Sequence, residues 1–577
     1  MKKKLLPALI VTGLIILVVI IMGITALINK YTPTKKTEDL KEYFNISSDD
    51  EAALIVDNEL SDYKAKIIDK KIYVDYKFVH DSLNSRFYWD ANENVLLYTT
   101  ASDIISAAAD SNSYSVTKQT NDFGYPIVKA TSDSALIALD YVKQYSNITF
   151  KSYDDPARIV ITSKWDEIDS ATVSKSTQVR VKGGIKSPIL KEVKKDDKIT
   201  ILDSGDKWDK VATEDGVIGY IKRKALSESK KTKLTNPDYE EETFTHIKKD
   251  KDICLAWNQV TSQSANSKVP QVISSTKGIN VMSPTWFYLN DNNGNLADIA
   301  SKDYVSYCHS QGIEVWGLFS NFENTDVDAA YVLTHTSTRT TLINQIMSAA
   351  FNYELDGVNI DFENITEAAY GDSYIEFIRE LSIKCHNNGI SLSVDVTVPA
   401  SFNKFFNRSD MANFADYIVI MGYDEHYKGS DAGSVSSIPW VTEGVESTLK
   451  EVPADQIILG MPFYTRIWEL TPKEDDDAVT DTEDQSKYTV ASQVYSMDAA
   501  AAQLATNNAT AALDEKSGQN YAEWSASNKL YKVWLEDNTS LENRLKLVDD
   551  NKLAGAAFWK LGFENSSVWD TVIKYLD

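Results

Sequence analysis

From Ile253 to Leu561 the chain repeats one pattern eight times: a short segment rich in β-branched and aromatic residues, mostly followed by a longer amphipathic stretch. The segments are Ile253–Val260, Gly278–Tyr288, Ile313–Phe322, Gly357–Glu363, Ser391–Pro399, Tyr417–Asp424, Ile457–Trp468 and Gly555–Leu561. Between them, Ser301–Gln311, Thr338–Asn352, Tyr374–Asn387 and Leu541–Asn551 carry apolar residues at helical spacing. A strand separated from the next by a helix cannot form a hairpin with it, so the sheet must be parallel with crossovers. Eight such units predict an α/β chain whose main domain is a (β/α)8 barrel. In that fold the chemistry sits at the C-terminal ends of the strands.

The fourth segment, Asp356-Gly357-Val358-Asn359-Ile360-Asp361-Phe362-Glu363, is the most informative. Side chains alternate faces along a strand. Val358, Ile360 and Phe362 therefore point one way, and Asn359, Asp361 and Glu363 the other. Stacking carboxylates on one face costs repulsion and desolvation, and it raises a carboxyl pKa until a proton is available near neutrality. A general acid needs that property. The competing reading, a solvated edge strand, conflicts with the ordered strands on both sides.

Composition narrows the partners. The chain has 577 residues and a net charge of −25, with no extended basic stripe, so no nucleic-acid partner is expected. A neutral polymer fits that balance. Cys254, Cys308 and Cys385 are the only cysteines, no CxxC or HExxH occurs, and no metal site or cofactor is expected. At the N-terminus, Lys2, Lys3 and Lys4 precede an uncharged apolar run from Leu5 to Ile28, long enough to span a bilayer. The length of the run favours a retained single-pass anchor in the cell membrane, residues 1–28, over a cleaved signal, and the basic N-terminus places the bulk of the chain outside the cytoplasm.

Residues 29–45 read as a polar tether, and 46–165 as an internal duplication. Ile72–Thr99 realigns on Ala135–Thr162: Phe78-Val79 on Tyr141-Val142, Asn84 on Asn147, Phe87 on Phe150, and Val95-Leu96-Leu97 on Ile159-Val160-Ile161. Each copy predicts strand, short helix, strand, turn, strand. The pattern resembles the duplicated module at the N-terminus of copper amine oxidases, which implies adhesion or spacing and no copper. Residues 170–228 alternate short strands with turns. Gly205–Val211, Asp215-Gly216 and Gly219-Tyr220-Ile221 resemble a bacterial SH3 domain, which implies either binding to cell-wall peptides or a plain spacer. Residues 229–244 read as a linker leading to the barrel at 245–577, which carries an insertion at 469–537. Within it, Thr471–Asp484 reads as an acidic solvated loop, a composition also open to calcium. Ala512–Glu536 reads as a hairpin walling the cleft, with Trp524 and Trp534 facing sugar or packed.

The run Asp356–Glu363 resembles the signature of glycoside hydrolase family 18, Asp-x-x-Asp-x-Asp-x-Glu on the fourth barrel strand. Met421-Gly422-Tyr423-Asp424 looks like that family's sixth-strand motif, Gly460–Arg466 like its seventh-strand segment, and Trp559 like its eighth-strand tryptophan. Asn520–Asp537 and Leu553–Glu564 are most similar to bacterial spore-cortex and cell-wall N-acetylglucosaminidases. The resemblance implies a retaining, substrate-assisted glycosidase, an exception to the two-carboxylate scheme. Glu363 would be the acid and base. Asp361 would hold the acetamide nitrogen of the substrate, and Tyr423 would donate to the acetamide oxygen. Asn359, Met421, Asp424, Tyr464, Arg466 and Trp559 would bind sugar, while Asp356 would fix local backbone. One departure stands out: Asn359 replaces the second Asp of the pattern, which ordinarily shares a proton with the next Asp. An amide at 359 can still hydrogen-bond Asp361 but holds no negative charge, a change that leaves the acid in place and the pH optimum open.

The leading expectation is an exported, anchored hydrolase of β-1,4-linked N-acetylglucosamine polymers, with peptidoglycan favoured over chitin. The alternative is a non-catalytic chitin- or cell-wall-binding protein on the same barrel.

Overall fold

The computed structural model describes residues 2–363, 365, 370–473 and 485–576. The chain forms two compact units. One comprises Met1–Trp89, Ala107–Tyr114 and Asn121–Glu241; the other comprises Asp90–Ser106, Ser115–Thr120 and Glu242–Asp577.

The second unit holds the predicted barrel. Its strands are β1 Ile253–Asn258, β2 Val281–Leu289, β3 Glu314–Ser320, β4 Gly357–Asp361, β5 Ser391–Thr397, β6 Tyr417–Met421, β7 Ile457–Pro462 and β8 Gly555–Trp559. Each pairs in parallel with the next, and β8 pairs with β1 to close the ring. The alternation in β4 is as read: Val358, Ile360 and Phe362 pack outward into the core shared with the helices. The barrel interior is filled by Leu255, Trp257, Trp316, Leu318, Tyr417, Val419 and Ile458.

Helices α1 Lys302–Ser310, α2 Thr336–Tyr353, α3 Gly371–His386 and α4 Asn538–Asp550 occupy the predicted amphipathic stretches. They start outside those stretches where caps extend them. Asp537 accepts from the amides of Thr539 and Ser540, and its own amide donates to Ser540 Oγ, so α4 begins three residues before Leu541. No side chain of its own N-cap residue caps α2. Its first amides donate instead to Asp90 Oδ2 at 2.6 Å and to Glu93 Oε1 at 3.1 Å. Helix α3 is buried nearly all round. Thr99 Oγ1 donates to its Glu376 at 2.8 Å, Arg379 pairs with Glu376 and Asp410, and Arg339 of α2 pairs with Glu380.

The seventh segment requires a correction. Strand β7 stops at Pro462, and Tyr464–Pro472 leaves the barrel to head a separate antiparallel sheet. There it pairs with Tyr488–Ser496 and Lys529–Leu535, and the expected hairpin is formed by Gln519–Ala526 and Lys529–Leu535. The seventh segment reads long because the strand Tyr464–Pro472, nine residues of mixed polarity, continues it into a second sheet. The acidic stretch read at Thr471–Asp484 falls outside the described residues from 474 onward.

In the first unit, Lys2–Tyr31 is one helix, and its Pro7–Tyr31 stretch is apolar and long enough to cross a membrane. Lys71–Asp75 and Tyr76–Ser82 lie in this unit with Ala135–Ala138, Leu139–Tyr145, Thr149–Tyr153 and Arg158–Thr162, whereas Phe87–Asp90 ends at its boundary and Val95–Thr99 belongs to the second unit. The two hairpins have different fates. The second joins the seven-stranded sheet through Glu51–Val56, whereas the first starts a separate five-stranded sheet. Residues 167–233 form a second seven-stranded sheet containing Trp208–Thr213 and Ile218–Lys222. Two expectations of irregular chain fail here. Within 29–45, Phe44 is buried beside Val179 and Val211, and the Glu38 amide bonds Ile189 O. Within 229–244, Lys230–Lys233 pairs with Glu167–Thr172. One apolar side chain outweighs a polar neighbourhood in the first case. In the second, lysines suit an exposed edge strand.

Candidate active site

Polar inward positions on β4 and β5 meet the loops after β3, β5 and β6 and the end of β8 around a cleft of about 700 Å³. Its lining brings together Asp361, Glu363, Met421, Tyr423, Asp424 and Trp559, six of the nine predicted site residues. Glu363 stands two residues beyond the end of β4 and is open to the cleft. Burial of its carboxyl, reinforced by Asp424 and Glu323, raises its pKa above the ordinary range for a glutamate. Asp361 is 6% exposed, and burial followed by Asp395, Glu363 and Glu323 pushes its carboxyl well above normal. The Tyr423 hydroxyl is pushed up by burial and by Asp361, Asp395 and Glu363, so it stays a proton donor at any physiological pH. Trp257 supports Tyr423 and Trp559 from beneath, with edge-to-face ring centroids at 6.4 and 6.0 Å.

Three predicted residues do not line the cleft. Tyr464 and Arg466, displaced onto the insertion sheet, hold Asp424 from behind: Tyr464 OH donates to Asp424 Oδ1 at 2.6 Å, and Arg466 Nη2 lies at 3.4 Å from the same oxygen. Asp424 itself has a φ of 60°, which aims its carboxyl into the cleft from the turn after β6. Asn359 is fully buried beneath the floor with its amide completely used. It accepts from Trp257 Nε1 at 3.0 Å and Ser283 Oγ at 2.9 Å, and it donates to Ser393 Oγ at 3.0 Å and Asp395 Oδ1 at 2.7 Å. The expected bond to Asp361 is absent. Both N–H groups of the amide are taken by β5 and its oxygen by Trp257 and Ser283, which leaves nothing for Asp361. Asp356, at the other end of β4, accepts from the Val315 amide and His309, as read.

Sequence reasoning missed Asp395, Glu323, Phe402, Tyr427 and Trp440. The signal for Asp395 was available, because Ser391, Ser393 and Asp395 alternate with Leu392, Val394 and Val396 as the polar residues of β4 do. The cleft rim carries exposed aromatic rings at Phe402 and Tyr427. Trp524 and Trp534 are absent from the lining. Within the insertion, Trp524 stacks on Tyr531 and Trp534 packs at a tilt against Tyr521.

Residues 324–564 match the family model for Glycosyl hydrolases family 18. Among curated proteins, the chain is 24% identical over 301 residues to the uncharacterized glycosylase YvbX of Bacillus subtilis (strain 168), covering 49% of this chain and 81% of that one. It is 24% identical over 287 residues to the cortical fragment-lytic enzyme of the same organism, covering 48% of this chain and 63% of the relative. Among solved structures, the C-terminal domain of a Desulfitobacterium hafniense DCB-2 protein named as a chitinase shares the fold. It superposes with a TM-score of 0.50 at 18% identity, covering 57% of this chain and all of that domain.

Proposed function

We propose that this chain, which carries a domain of glycosyl hydrolases family 18, hydrolyses β-1,4-linked N-acetylglucosamine polymers with retention of configuration. The observation that carries this reading is one open cleft in which Glu363, with a raised proton affinity, stands beside buried Asp361 and faces Tyr423. Glu363 donates its proton to the glycosidic oxygen as the bond to the anomeric carbon breaks. The carbonyl oxygen of the substrate's own acetamide attacks that carbon from the opposite face, forming an oxazolinium ion. Asp361 accepts the acetamide N–H and stabilises the developing positive charge, while Tyr423 OH holds the acetamide oxygen in line. Glu363 then removes a proton from water, which opens the intermediate and restores the acid. Trp559 and Met421 provide an apolar floor, and Asp424, held by Tyr464 and Arg466, contacts sugar hydroxyls.

Within that class we favour peptidoglycan over chitin. The support is the likeness to a cortical fragment-lytic enzyme, the SH3-like reading of 170–228 and the apolar N-terminal helix. That helix acts as a single-pass membrane anchor with the barrel outside the cytoplasm.

The test is incubation of the full chain in detergent with chitooligosaccharides and with purified peptidoglycan, followed by analysis of released sugars. Release that Glu363→Gln abolishes supports the proposal. Binding to either polymer without release would favour the non-catalytic reading. Equal release by Glu363→Gln and the unaltered chain would refute Glu363 as the acid.

A further inference from the structure

Register makes Asp361 and Asp395 neighbours. Asn359 of β4 lies opposite Ser393 of β5, and Ile360 opposite Val394, so the next step along both strands sets Asp361 beside Asp395. Both belong to the inward-facing series, and adjacent parallel strands are about 4.8 Å apart. The two carboxyls are 6% and 3% exposed. Around them stand Glu363 after β4, Glu323 after β3, Tyr423 and Asp424 after β6, and Tyr374 from α3. Among the described residues no cation acts on either carboxyl. Two adjacent buried carboxylates without a cation do not both ionise, so one proton stays with the pair. Two further details fit. Asp361 Oδ1 is buried with no hydrogen-bond partner among the described residues, and so is the hydroxyl of Tyr374. Asn359, whose amide orientation its four bonds settle, gives an N–H to Asp395 Oδ1, which favours the ionised form of Asp395.

We propose that Asp395 is a positioning residue for hydrolysis: it shares a single proton with Asp361 and so replaces the carboxylate that Asn359 cannot supply. In the empty cleft the charge rests on Asp395 and the proton on Asp361. When the acetamide N–H arrives, the O–H bond of Asp361 breaks and one forms on Asp395. The negative charge moves to Asp361, where positive charge will develop, and the net charge of the pair is unchanged. This inference rests on the glycosidase reading above.

The experiment compares the full chain with Asp395→Asn and with the swap variant Asn359→Asp/Asp395→Asn, which exchanges carboxylate and amide across one hydrogen bond. Asp395→Asn is expected to lower kcat at least about tenfold while KM changes far less. It should also move the acidic limb of kcat/KM upward, because a pair that already holds one proton takes a second only at low pH, whereas a lone Asp361 takes its first more readily. The swap should return both the limb and part of kcat. Wild-type kcat and profile in Asp395→Asn would overturn the proposal, as would a loss of kcat with an unmoved limb that the swap leaves unrepaired. If Asp395→Asn fails to fold, the swap variant decides alone: a restored profile supports shared protonation, and an unrestored one refutes it. Carboxyl-region infrared titration separates this from failure of the glycosidase reading. A protonated carboxyl persisting above neutral pH in the full chain and missing from Asp395→Asn supports proton sharing whether or not sugar is released, and its absence refutes it.

Discussion

Replacing Asn359 by leucine tests how the barrel floor is held. The two side chains have nearly the same shape, so no cavity opens and the cost isolates the polar contacts. Asn359 is fully buried and makes four hydrogen bonds. The hydroxyls of Ser283 and Ser393 can rotate, and Ser393 Oγ already has a weak alternative at Val358 O, 3.4 Å away, so they contribute little. Trp257 Nε1 is fixed in direction and 1% exposed; leaving it unpaired costs about 1–3 kcal/mol. Asp395 loses its hydrogen-bond donor among the described residues, a further loss of about 1.5–3 kcal/mol. The expected destabilisation is about 2.5–6 kcal/mol, a large part of ordinary domain stability. Guanidinium unfolding followed by tryptophan fluorescence would measure it, with Asn359→Asp as a control that keeps both acceptors. A change below about 1 kcal/mol would mean that the four contacts are not jointly maintained in solution.

Glu363→Gln should lose about 10²–10⁴-fold or more in kcat with an unchanged unfolding midpoint, read by sugar release and calorimetry. Glu323→Gln removes one anion that raises the proton affinity of Glu363. Glu363 then loses its proton at lower pH, so the alkaline limb of activity should move to lower pH; an upward or absent shift contradicts the charge argument. Thr99→Val removes a fully buried donor to Glu376 and should cost about 1–3 kcal/mol by denaturant unfolding. A fragment beginning at residue 245 lacks Asp90, Glu93 and Thr99, and it should melt below a chain that keeps them, because α2 loses its N-terminal acceptors.

Local pattern alone was enough for the barrel. Each of the eight strands is a run whose apolar face recurs at period 2, and helices of period 3.6 between them leave parallel closure as the way to bury both. The same alternation placed Asp361 and Glu363 on one side of β4, and the motif after β6 placed Tyr423 and Asp424 near them. What sequence could not supply was every relation between strands. That Asn359 bonds Asp395 rather than Asp361 depends on register between β4 and β5, which sets Ser393 and Asp395 against its amide. That Tyr464 and Arg466 leave the barrel depends on where β7 ends, which no apolar count marks when a second sheet continues the run. That Asp90 and Glu93 cap a helix some 245 residues away depends on folding of the whole second unit. Sequence determined which faces are polar; only tertiary structure decided which polar groups meet, because meeting is a property of distance in space and not along the chain.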